Sequence, residues 1–316
     1  MKRFALIGVG GYIAPRHLKA IKETGNLLVA ALDKHDSVGV LDSYFPDTDF
    51  FTEFERFDRY LEKRRRNKDQ KVDYVSICSP NYLHDAHVRF ALRIGAEAIC
   101  EKPLVLNPWN LSALNEISLE TGKRINTIVQ LRLHPEIIAL KERVEISPPT
   151  KLYDVDLTYI TARGNWYKVS WKGDMSKSGG IATNIGVHFF DILTWIFGDT
   201  QKNIVHISEP DKIAGFLELE RARVRWFLSL DRHDLPSAPR PGQSMTYRSV
   251  TVDGEEIEFS GGFTDLHTES YRKILAGEGF GPQDVAASIE IVSEIRQAKP
   301  VGLQGDYHPK LKEACS

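Results

Sequence analysis

The first 33 residues constrain the fold of this chain more than any other feature. Their pattern predicts a strand over residues 2–7, a helix over 14–24 and a second strand over 28–33, with a glycine-rich turn before the helix. Asp33 ends the second strand and follows Ile13 by twenty residues, which is the spacing expected of an acid that hydrogen-bonds an adenosine ribose. The opening therefore predicts a βαβ unit that binds a dinucleotide.

The turn contributes backbone groups more than side chains. Gly8 permits the tight turn, and Gly10 lets N–H groups approach a pyrophosphate at the helix N-terminus. The third glycine of the usual fingerprint is absent, because Ile13 and Ala14 occupy its region. The carboxylate of Asp33 would repel a 2′-phosphate, so the expected cofactor is NAD rather than NADP. The candidate cofactor contacts of this unit are Gly8, Gly10, Gly11, Tyr12, Ile13 and Asp33.

Strands and helices continue to alternate up to about residue 130. The pattern predicts strands over 74–78, 97–100 and 125–130, and helices over 54–63, 84–94 and 107–121. Strands that alternate with helices of this length form a parallel, doubly wound sheet. Residues 1–126 are therefore predicted to form an N-terminal Rossmann domain of the α/β class.

Two loops at strand ends carry the polar side chains of this domain. Ser79-Pro80-Asn81 leads to His84, and Glu101-Lys102-Pro103 follows a buried strand. Proline restricts the residue before it, so Lys102 is held extended at the sheet edge where open α/β sheets bind ligands. Lys102 is the candidate catalytic ammonium, whereas His84 is either a cofactor contact or a packed histidine. The candidate cofactor contacts of the strand ends are Ser79, Asn81, His84, Glu101, Lys102 and Gln130.

A different pattern of predicted strands indicates a second domain over residues 127–316. Strand-like segments lie at 153–160, 204–209, 213–220, 222–231, 247–252 and 255–259. Asp253-Gly254 is a hairpin turn between the last two of them. Short strands with tight turns predict a mostly antiparallel sheet that packs on one face and is open for a subunit contact on the other. The second domain is therefore predicted to be α+β.

Between the first strands of this domain, Gly179-Gly180 leads into an apolar helix over 192–197. Asn184 and His188 are four residues apart, so on a helix both side chains project from one face. An amide and an imidazole at that spacing suit a substrate hydroxyl. The alternative is that His188 is a core histidine with its hydrogen bonds satisfied.

Composition excludes several classes of protein. A net charge of -2 and a pI near 6.6 create no long-range field for nucleic acid or an anionic membrane. The first apolar run is too short for a membrane span or a secretory leader, so we expect a cytoplasmic protein. The three cysteines, Cys78, Cys100 and Cys315, lack the spacing of a metal site, and we expect neither a bound metal nor disulfides.

Taken together, these motifs resemble the Gfo/Idh/MocA oxidoreductases from about residue 1 to 297, in the order of that family. The resemblance implies that Lys102 and His188 flank the nicotinamide ring. Asn184 stands where the family has an aspartate. An amide cannot take up a proton as a carboxylate can, so the role of base is left to His188 or Lys102, with His188 favoured.

The segments 159–167, 170–174 and 177–180 resemble one subgroup of that family, the UDP-N-acetyl-2-amino-2-deoxyglucuronate dehydrogenases of O-antigen synthesis. The resemblance implies NAD-dependent oxidation of the 3-hydroxyl of UDP-N-acetylglucosaminuronate to a 3-keto sugar, and reoxidation of bound NADH by 2-oxoglutarate. It also implies a homodimer or homotetramer. The candidate substrate contacts are Lys102, Arg163, Asn165, Tyr167, Lys172, Asn184 and His188, and Trp171 is a candidate cofactor contact.

Two alternatives remain at this stage. One keeps the fold and the chemistry but changes the substrate to another sugar or a polyol. The other is an NAD-binding regulator without catalysis, for which the amide at Asn184 is the only argument. The functions of the proline-rich stretch 231–244 and of the residues after 300 are not assigned by the sequence.

Overall fold

The computed structural model of the chain describes residues 1–236, 245–257 and 265–314. The strands are β1 (Arg3–Ile7), β2 (Leu27–Leu32), β3 (Asp49–Phe51), β4 (Tyr74–Ile77), β5 (Glu97–Cys100), β6 (Ile125–Thr127), β7 (Tyr153–Thr161), β8 (Thr200–Ser208), β9 (Lys212–Leu219), β10 (Ala222–Ser229), β11 (Thr246–Val252) and β12 (Glu255–Glu256). The helices are α1 (Ala14–Glu23), α2 (Val40–Tyr44), α3 (Phe54–Arg65), α4 (His84–Arg93), α5 (Pro108–Thr121), α6 (Pro135–Ile146), α7 (Asn165–Val169), α8 (Met175–Ser178), α9 (Val187–Phe197), α10 (Leu266–Ala276), α11 (Pro282–Gln297) and α12 (Lys310–Ala314).

The chain divides into two units. The first comprises Met1–Leu133 and Thr264–Ala286, and the second His134–Phe263 and Ala287–Ser316. The sequence analysis placed everything after residue 126 in the second domain, whereas α10 returns to the first unit. The reason is packing: Tyr271 of α10 is fully buried in the first core and stacks 5.8 Å from Phe4 of β1. No local pattern shows which core a helix so far along the chain will join.

The first unit contains a parallel sheet in the order β3-β2-β1-β4-β5-β6. Its central strands are apolar on both faces, as in Phe4-Ala5-Leu6 of β1, because helices cover both sides of such a sheet. Leu18 and Ile21 of α1 pack into the same core. The predicted Rossmann sheet is confirmed, and the short elements α2 and β3 are additions to the prediction.

The second unit contains a mixed sheet in the order β12-β11-β7-β10-β9-β8. The pair β7 and β10 is parallel, and the other neighbours are antiparallel, which confirms the mostly antiparallel prediction. Helix α9 packs on one face, where Phe190 meets the ring of Trp226 at a centroid distance of 5.3 Å. The predicted strand end at 258–259 lies outside the described residues.

The other face of this sheet is partly covered by the end of the chain. Leu311 of α12 is fully buried against Ile160, Ala214 and Phe227, which lie on three neighbouring strands. His308 bonds the hydroxyl of Thr158 on the same sheet at 3.0 Å. The residues after 300, which the sequence left unassigned, therefore close part of the face that was expected to be open.

The helical run Met175–Phe197 has the length and apolar composition of a membrane span, but 72% of the relevant window is buried within the structure. Burial of this kind is typical of a core helix. The run therefore gives no support for a membrane crossing.

Candidate functional site

The glycine turn between β1 and α1 requires glycine at its first position. Gly8 has φ of +87°, and a Cβ there would lie 2.7 Å from the carbonyl carbon of Cys78. Its N–H donates to the carbonyl of Leu32 at 2.7 Å. The turn is therefore pressed against the ends of β2 and β4, which leaves space only for a backbone without a side chain.

Asp33 follows β2 and faces this turn. Its carboxylate accepts hydrogen bonds from the N–H of Gly10 at 2.9 Å and from the N–H of His35 at 3.0 Å. Tyr12 is 89% exposed, whereas Ile13 packs against the first core in place of the missing glycine. The structure thus brings together the residues of the predicted dinucleotide fingerprint.

The loop after β4 is tied to the loop after β5 by a buried histidine. The His84 ring is 1% exposed and lies between the carbonyls of Ser79, at 2.8 Å, and Pro103, at 2.7 Å. Burial lowers the pKa of His84, against the effect of these two carbonyls. The structure therefore favours the interpretation of His84 as a packed histidine over its interpretation as a cofactor contact. Asn81, in the same loop, begins a short 3-10 turn and is buried.

Glu101 and Lys102 follow β5 and have different surroundings. The Glu101 carboxylate is buried and contacts the Nε2 atoms of His17, at 2.8 Å, and His267, at 3.0 Å. Burial works against ionisation, but these hydrogen bonds outweigh it and hold the pKa of Glu101 well below its ordinary value. The Glu101 side chain is thus engaged within the first unit, whereas Lys102 is partly exposed.

Gln130 lies in a 3-10 turn after β6. Its Oε1 atom is buried and accepts no hydrogen bond within the three described segments of the chain. An unpaired buried oxygen next to the carboxyl end of the sheet is consistent with a polar ligand there.

In the second unit, two glycines introduce the segment that carries Asn184 and His188. Gly179 and Gly180 both have φ of +78°, and a Cβ on Gly180 would lie 2.6 Å from the sulfur of Met175. The residues Ala182–Gly186 then form a π-helical turn instead of the regular helix assumed from the sequence. Such turns are frequent at functional sites.

Asn184 lies in the π-helical turn, and His188 lies in the first turn of α9. Asn184 is 8% exposed, and its Nδ2 donates to the hydroxyl of Tyr167 at 2.7 Å. Burial raises the pKa of Tyr167, so the phenol stays protonated at neutral pH. The amide thus orients a phenol, and the His188 side chain is partly exposed.

A cavity of about 1010 Å³ lies within the second unit, beside the segment that joins β7 to α8. Its lining includes four of the seven predicted substrate contacts, Arg163, Asn165, Tyr167 and Lys172, together with the basic residues Lys168 and Arg232 and the acidic residues Glu209, Asp211 and Asp231. Lys168 and Arg232 were missed, because isolated basic residues near turns resemble ordinary surface residues. The cavity is wide enough for a drug-sized ligand.

Lys172 is placed by aromatic rings. Its Nζ atom lies 4.8 Å from the ring centroid of Trp171 and 5.6 Å from that of Trp166. Burial lowers the pKa of Lys172, and the charge of Arg163 lowers it further. Trp171, predicted as a cofactor contact, therefore packs on Lys172, and the two cations create a local positive potential that favours an anion.

Each unit thus contains some of the predicted site residues. The first gathers the glycine turn with Asp33 and holds Lys102 beside the loop of Ser79. The second links Asn184 to Tyr167, beside the cavity with Arg163 and Lys172. Lys102 belongs to the first unit and His188 to the second.

Comparison with known proteins shows where this arrangement recurs. A family model described as "Oxidoreductase family, NAD-binding Rossmann fold" matches residues 2–128, and its C-terminal alpha/beta domain model matches residues 150–240. D-glucoside 3-dehydrogenase of Escherichia coli is 28% identical over 146 residues, which are 45% of this chain and 41% of that protein. The chain spans less than half the length of the first curated relatives that it matches.

Solved structures match over nearly the whole chain. The WlbA (WbpB) dehydrogenase from Thermus thermophilus, in complex with NAD and alpha-ketoglutarate, is 54% identical with a TM-score of 0.94, covering 98% of this chain and 99% of that one. The same enzyme in complex with NAD and UDP-GlcNAcA is 53% identical with a TM-score of 0.93, and the coverage is again 98% and 99%. The WlbA dehydrogenase from Bordetella pertussis shares the fold at 18% identity, with a TM-score of 0.75 over 96% and 98% of the two chains.

Both family models match in chain order, and a relative with more than half of its residues identical is covered almost end to end. The chain therefore belongs to the Gfo/Idh/MocA oxidoreductase family.

Proposed function

We propose that the protein is an NAD-dependent dehydrogenase that oxidises the 3-hydroxyl of UDP-N-acetylglucosaminuronate, UDP-GlcNAcA, to the 3-keto sugar. The observation that carries this proposal is the 53% identity, over 98% of the chain, to the Thermus thermophilus enzyme in complex with NAD and UDP-GlcNAcA. The Rossmann site agrees with a dinucleotide, and the Arg163 and Lys172 side of the cavity agrees with an anionic sugar.

The residues of the first unit fit NAD. The space beside Gly8 and Gly10 admits a pyrophosphate close to the backbone, and Asp33 is placed to accept a ribose hydroxyl. The unpaired Oε1 of Gln130 is a further polar contact. Bound NAD supplies the hydride acceptor for the reaction.

His188 is the base that removes the proton of the 3-hydroxyl. An unperturbed histidine has a pKa of about 6.5, whereas a free lysine at about 10.4 is protonated at neutral pH. Lys102 therefore acts as a cation that orients the hydroxyl oxygen and stabilises the negative charge that develops on it. Asn184 cannot accept the proton, and it holds Tyr167 by a hydrogen bond.

The cavity of the second unit accounts for the charge of the substrate. Arg163 offers a planar pair of donors for a carboxylate or a phosphate, and Lys172 adds a point charge. Asn165 and Tyr167 line the same cavity and supply neutral polar contacts. These side chains explain how a chain with a net charge of only -2 binds a polyanion locally.

The cofactor is recycled in place. The Thermus thermophilus enzyme is found in complex with NAD and alpha-ketoglutarate, which is the same compound as 2-oxoglutarate. In this step the keto carbon of 2-oxoglutarate takes the hydride and its oxygen takes a proton, so that 2-hydroxyglutarate is released and the oxidised cofactor is restored. The protein then needs no external oxidant other than 2-oxoglutarate.

The cellular setting follows from the same resemblance. We place the reaction in the cytoplasm, in the synthesis of O-antigen sugars, and expect a homodimer or homotetramer. Sedimentation of the purified protein measures the oligomeric state directly, and a monomeric species at micromolar concentration would contradict that expectation.

The first test mixes purified protein with NAD and UDP-GlcNAcA, with and without 2-oxoglutarate, and follows nicotinamide absorbance and the mass of the sugar. We expect a nucleotide sugar that is lighter by two hydrogens. We expect each bound cofactor to support more than one turnover only when 2-oxoglutarate is present. Product without any effect of 2-oxoglutarate would reject recycling but keep the dehydrogenase.

The roles of the two catalytic groups are tested by kinetics. Lys102→Met and His188→Asn should each lower kcat by about 10²-fold or more, since each removes a group that acts on the reacting hydroxyl. Turnover close to that of the unmodified protein in both variants would reject the assignment.

A second candidate keeps the fold and changes the sugar. The 28% identity to D-glucoside 3-dehydrogenase favours this alternative only over part of the chain. A panel of free glucosides, inositol and UDP-sugars distinguishes the two, because oxidation of a free glucoside at a rate above that of UDP-GlcNAcA would favour the second candidate.

A further inference from the structure

A buried chain of hydrogen bonds runs through the first unit. Ser76 Oγ lies 2.6 Å from Tyr271 Oη, which lies 2.7 Å from His17 Nδ1. His17 Nε2 lies 2.8 Å from Glu101 Oε1, and His267 Nε2 lies 3.0 Å from the same oxygen. All five side chains are less than a tenth exposed, and the proposed function gives His17, His267 and Tyr271 no part.

The chemistry of these groups fixes the direction of each bond. An ionised carboxylate only accepts, so both Nε2 atoms donate to Glu101. Nδ1 of a neutral His17 is then an acceptor, so Tyr271 donates to it and Ser76 donates to Tyr271. Burial lowers the pKa of His17, which keeps its ring neutral at pH 7. Each hydrogen bond of this row therefore has a defined donor and acceptor, and of its ring nitrogens only Nδ1 of His267 lacks a partner among the described residues.

The same carboxylate adjoins the catalytic loop. Glu101 Oε2 accepts the backbone N–H of Lys102 at 3.3 Å. On the other side of Lys102, the carbonyl of Pro103 lies 2.7 Å from Nδ1 of the buried His84 ring. Lys102 is partly exposed between two buried neighbours. The lysine is thus carried on a short loop that is anchored at both ends.

We propose that His17 and His267 are positioning residues that fix the direction of the Lys102 side chain through the Glu101 carboxylate. This inference rests on the catalytic function proposed for Lys102. A misplacement of about 1 Å at a reacting group costs about 10²-fold in rate, so anchoring of this kind acts on kcat. Among the described residues, Glu101 is the only hydrogen-bond partner of the His267 ring, whose Nδ1 has none.

Two imidazoles and a carboxylate are also a set of donors that zinc accepts. The geometry favours hydrogen bonds, because both nitrogens point to one carboxylate oxygen and His17 already bonds Tyr271. Metal analysis of the purified protein separates the two. Zinc at one equivalent per chain, with loss of activity on chelation, would overturn the proposal.

The test is a double-mutant cycle between His17→Leu and Lys102→Met, measured by kcat and by KM for NAD. We expect His17→Leu to lower kcat by about 10- to 100-fold, with KM for NAD changed by less than about threefold. His17→Gln, which keeps a donor for Glu101, should restore most of kcat. In the Lys102→Met background, His17→Leu should change kcat by less than about twofold.

His206→Leu is the matched control. His206 is a buried histidine of the second unit that contacts the carbonyls of Gly302, at 2.9 Å, and Asp306, at 3.1 Å. His206→Leu should lower the stability of the protein without altering kcat or the coupling measured between His17 and Lys102. If His17→Leu does not fold, Glu101→Gln takes its place in the cycle, because it keeps the shape of the carboxylate but weakens both contacts.

The outcomes separate the two proposals. Lys102→Met with unchanged kcat would reject the function proposed for Lys102, whatever His17 does. Lys102→Met with low kcat, together with a full additional effect of His17→Leu in that background, would reject only the positioning inference. A loss of kcat in His17→Leu that His17→Gln fails to restore would also reject it.

Discussion

At the scale of single residues, two cations of the second unit, Arg163 and Lys172, lie close together on one stretch of chain. Arg163 and Lys172 line the cavity, and the charge of Arg163 contributes to the lowered pKa of Lys172. Two cations held near each other raise the free energy of the unliganded site. An anion that binds between them relieves this repulsion, so substrate charge is recognised by residues that repel each other without it.

Arg163→Ala should therefore raise KM for UDP-GlcNAcA by about 10- to 100-fold, because a hydrogen bond between charged groups contributes about 1.5–3 kcal/mol. KM for NAD should change little. Steady-state kinetics with each substrate varied in turn provides the measurement.

Lys177→Ala is the matched control for Arg163→Ala, since Lys177 is exposed, pairs with Asp174 and does not line the cavity. An equal rise of KM in both variants would show that Arg163 acts only through overall charge.

Residues could be predicted where chemistry and spacing coincide in one short segment. Lys102, Asn184 and His188 stand in such segments, and their catalytic roles stay predictions; the structure places Lys102 just after β5 and Asn184 in the π-helical turn before α9. His17 and His267 could not be predicted as partners of Glu101, because 84 and 166 residues separate them from it along the chain. Long-range pairs of this kind leave no local pattern.

At the scale of elements, the glycine turn and the π-helical turn give the backbone shapes that a regular helix or strand does not have. The turn at Gly8 brings backbone N–H groups to the sheet edge, and the turn Ala182–Gly186 changes the helix just before His188. A Cβ on Gly186 would lie 2.6 Å from Leu228 of β10, so this turn is packed closely on the sheet.

Gly8→Ala should destabilise the protein much more than Gly95→Ala. Both glycines have positive φ, +87° and +79°, but a Cβ on Gly95 meets nothing within 4 Å, whereas one on Gly8 collides with the backbone at Cys78. We expect a cost of about 1–2 kcal/mol for Gly95→Ala from the backbone alone. Gly8→Ala adds overpacking of about 1–3 kcal/mol and weakens NAD binding.

Denaturant unfolding and NAD titration of the two variants provide the measurement for this turn. Equal losses of stability, with unchanged NAD affinity in Gly8→Ala, would show that the backbone has moved away from the close contact.

Long periodic elements could be predicted, and short or irregular ones could not. The predicted strand 97–100 coincides with β5, and the predicted helix 14–24 differs from α1 by one residue. The elements α2 and β3 have five and three residues, which is too few to show a period. The π-helical turn was missed because its sequence also fits a regular helix.

At the scale of the whole molecule, each unit draws on a distant part of the chain. The first unit takes Tyr271 into its core, and the second takes Leu311 onto its sheet. Sequence patterns predicted the fold class of both units. They could not show which core Tyr271 and Leu311 would join, because an apolar helix face is equally suited to either core. The stretch 237–244, within the proline-rich loop noted in the sequence, lies outside the described residues.

Acid should weaken the first unit more than the second, because buried neutral histidines are unequally divided. Burial lowers the pKa of His17, His84 and His87 in the first unit, that of His87 to about 4, and it lowers the pKa of His308 in the second to about 4. The unfolded chain takes up protons below about pH 6.5, whereas His87 and His308 in the folded protein do so only near pH 4, and burial likewise moves the pKa values of His17 and His84 below the unfolded value. Stability is therefore fully present above about pH 6.5 and is lost as pH falls toward 4.

At pH 5 a histidine with a folded pKa of about 4 costs about 2 kcal/mol, since each unit of pKa difference corresponds to about 1.4 kcal/mol. Hydrogen exchange of each unit at about pH 7.5 and about pH 5, corrected for the intrinsic exchange rate, measures this loss separately. His308→Gln should flatten the pH dependence of the second unit and leave that of the first unchanged. A variant that kept the original slope would mean that His308 has nearly the same pKa in the folded and the unfolded protein, so that its burial beside Thr158 gives no pH dependence to the stability of the second unit.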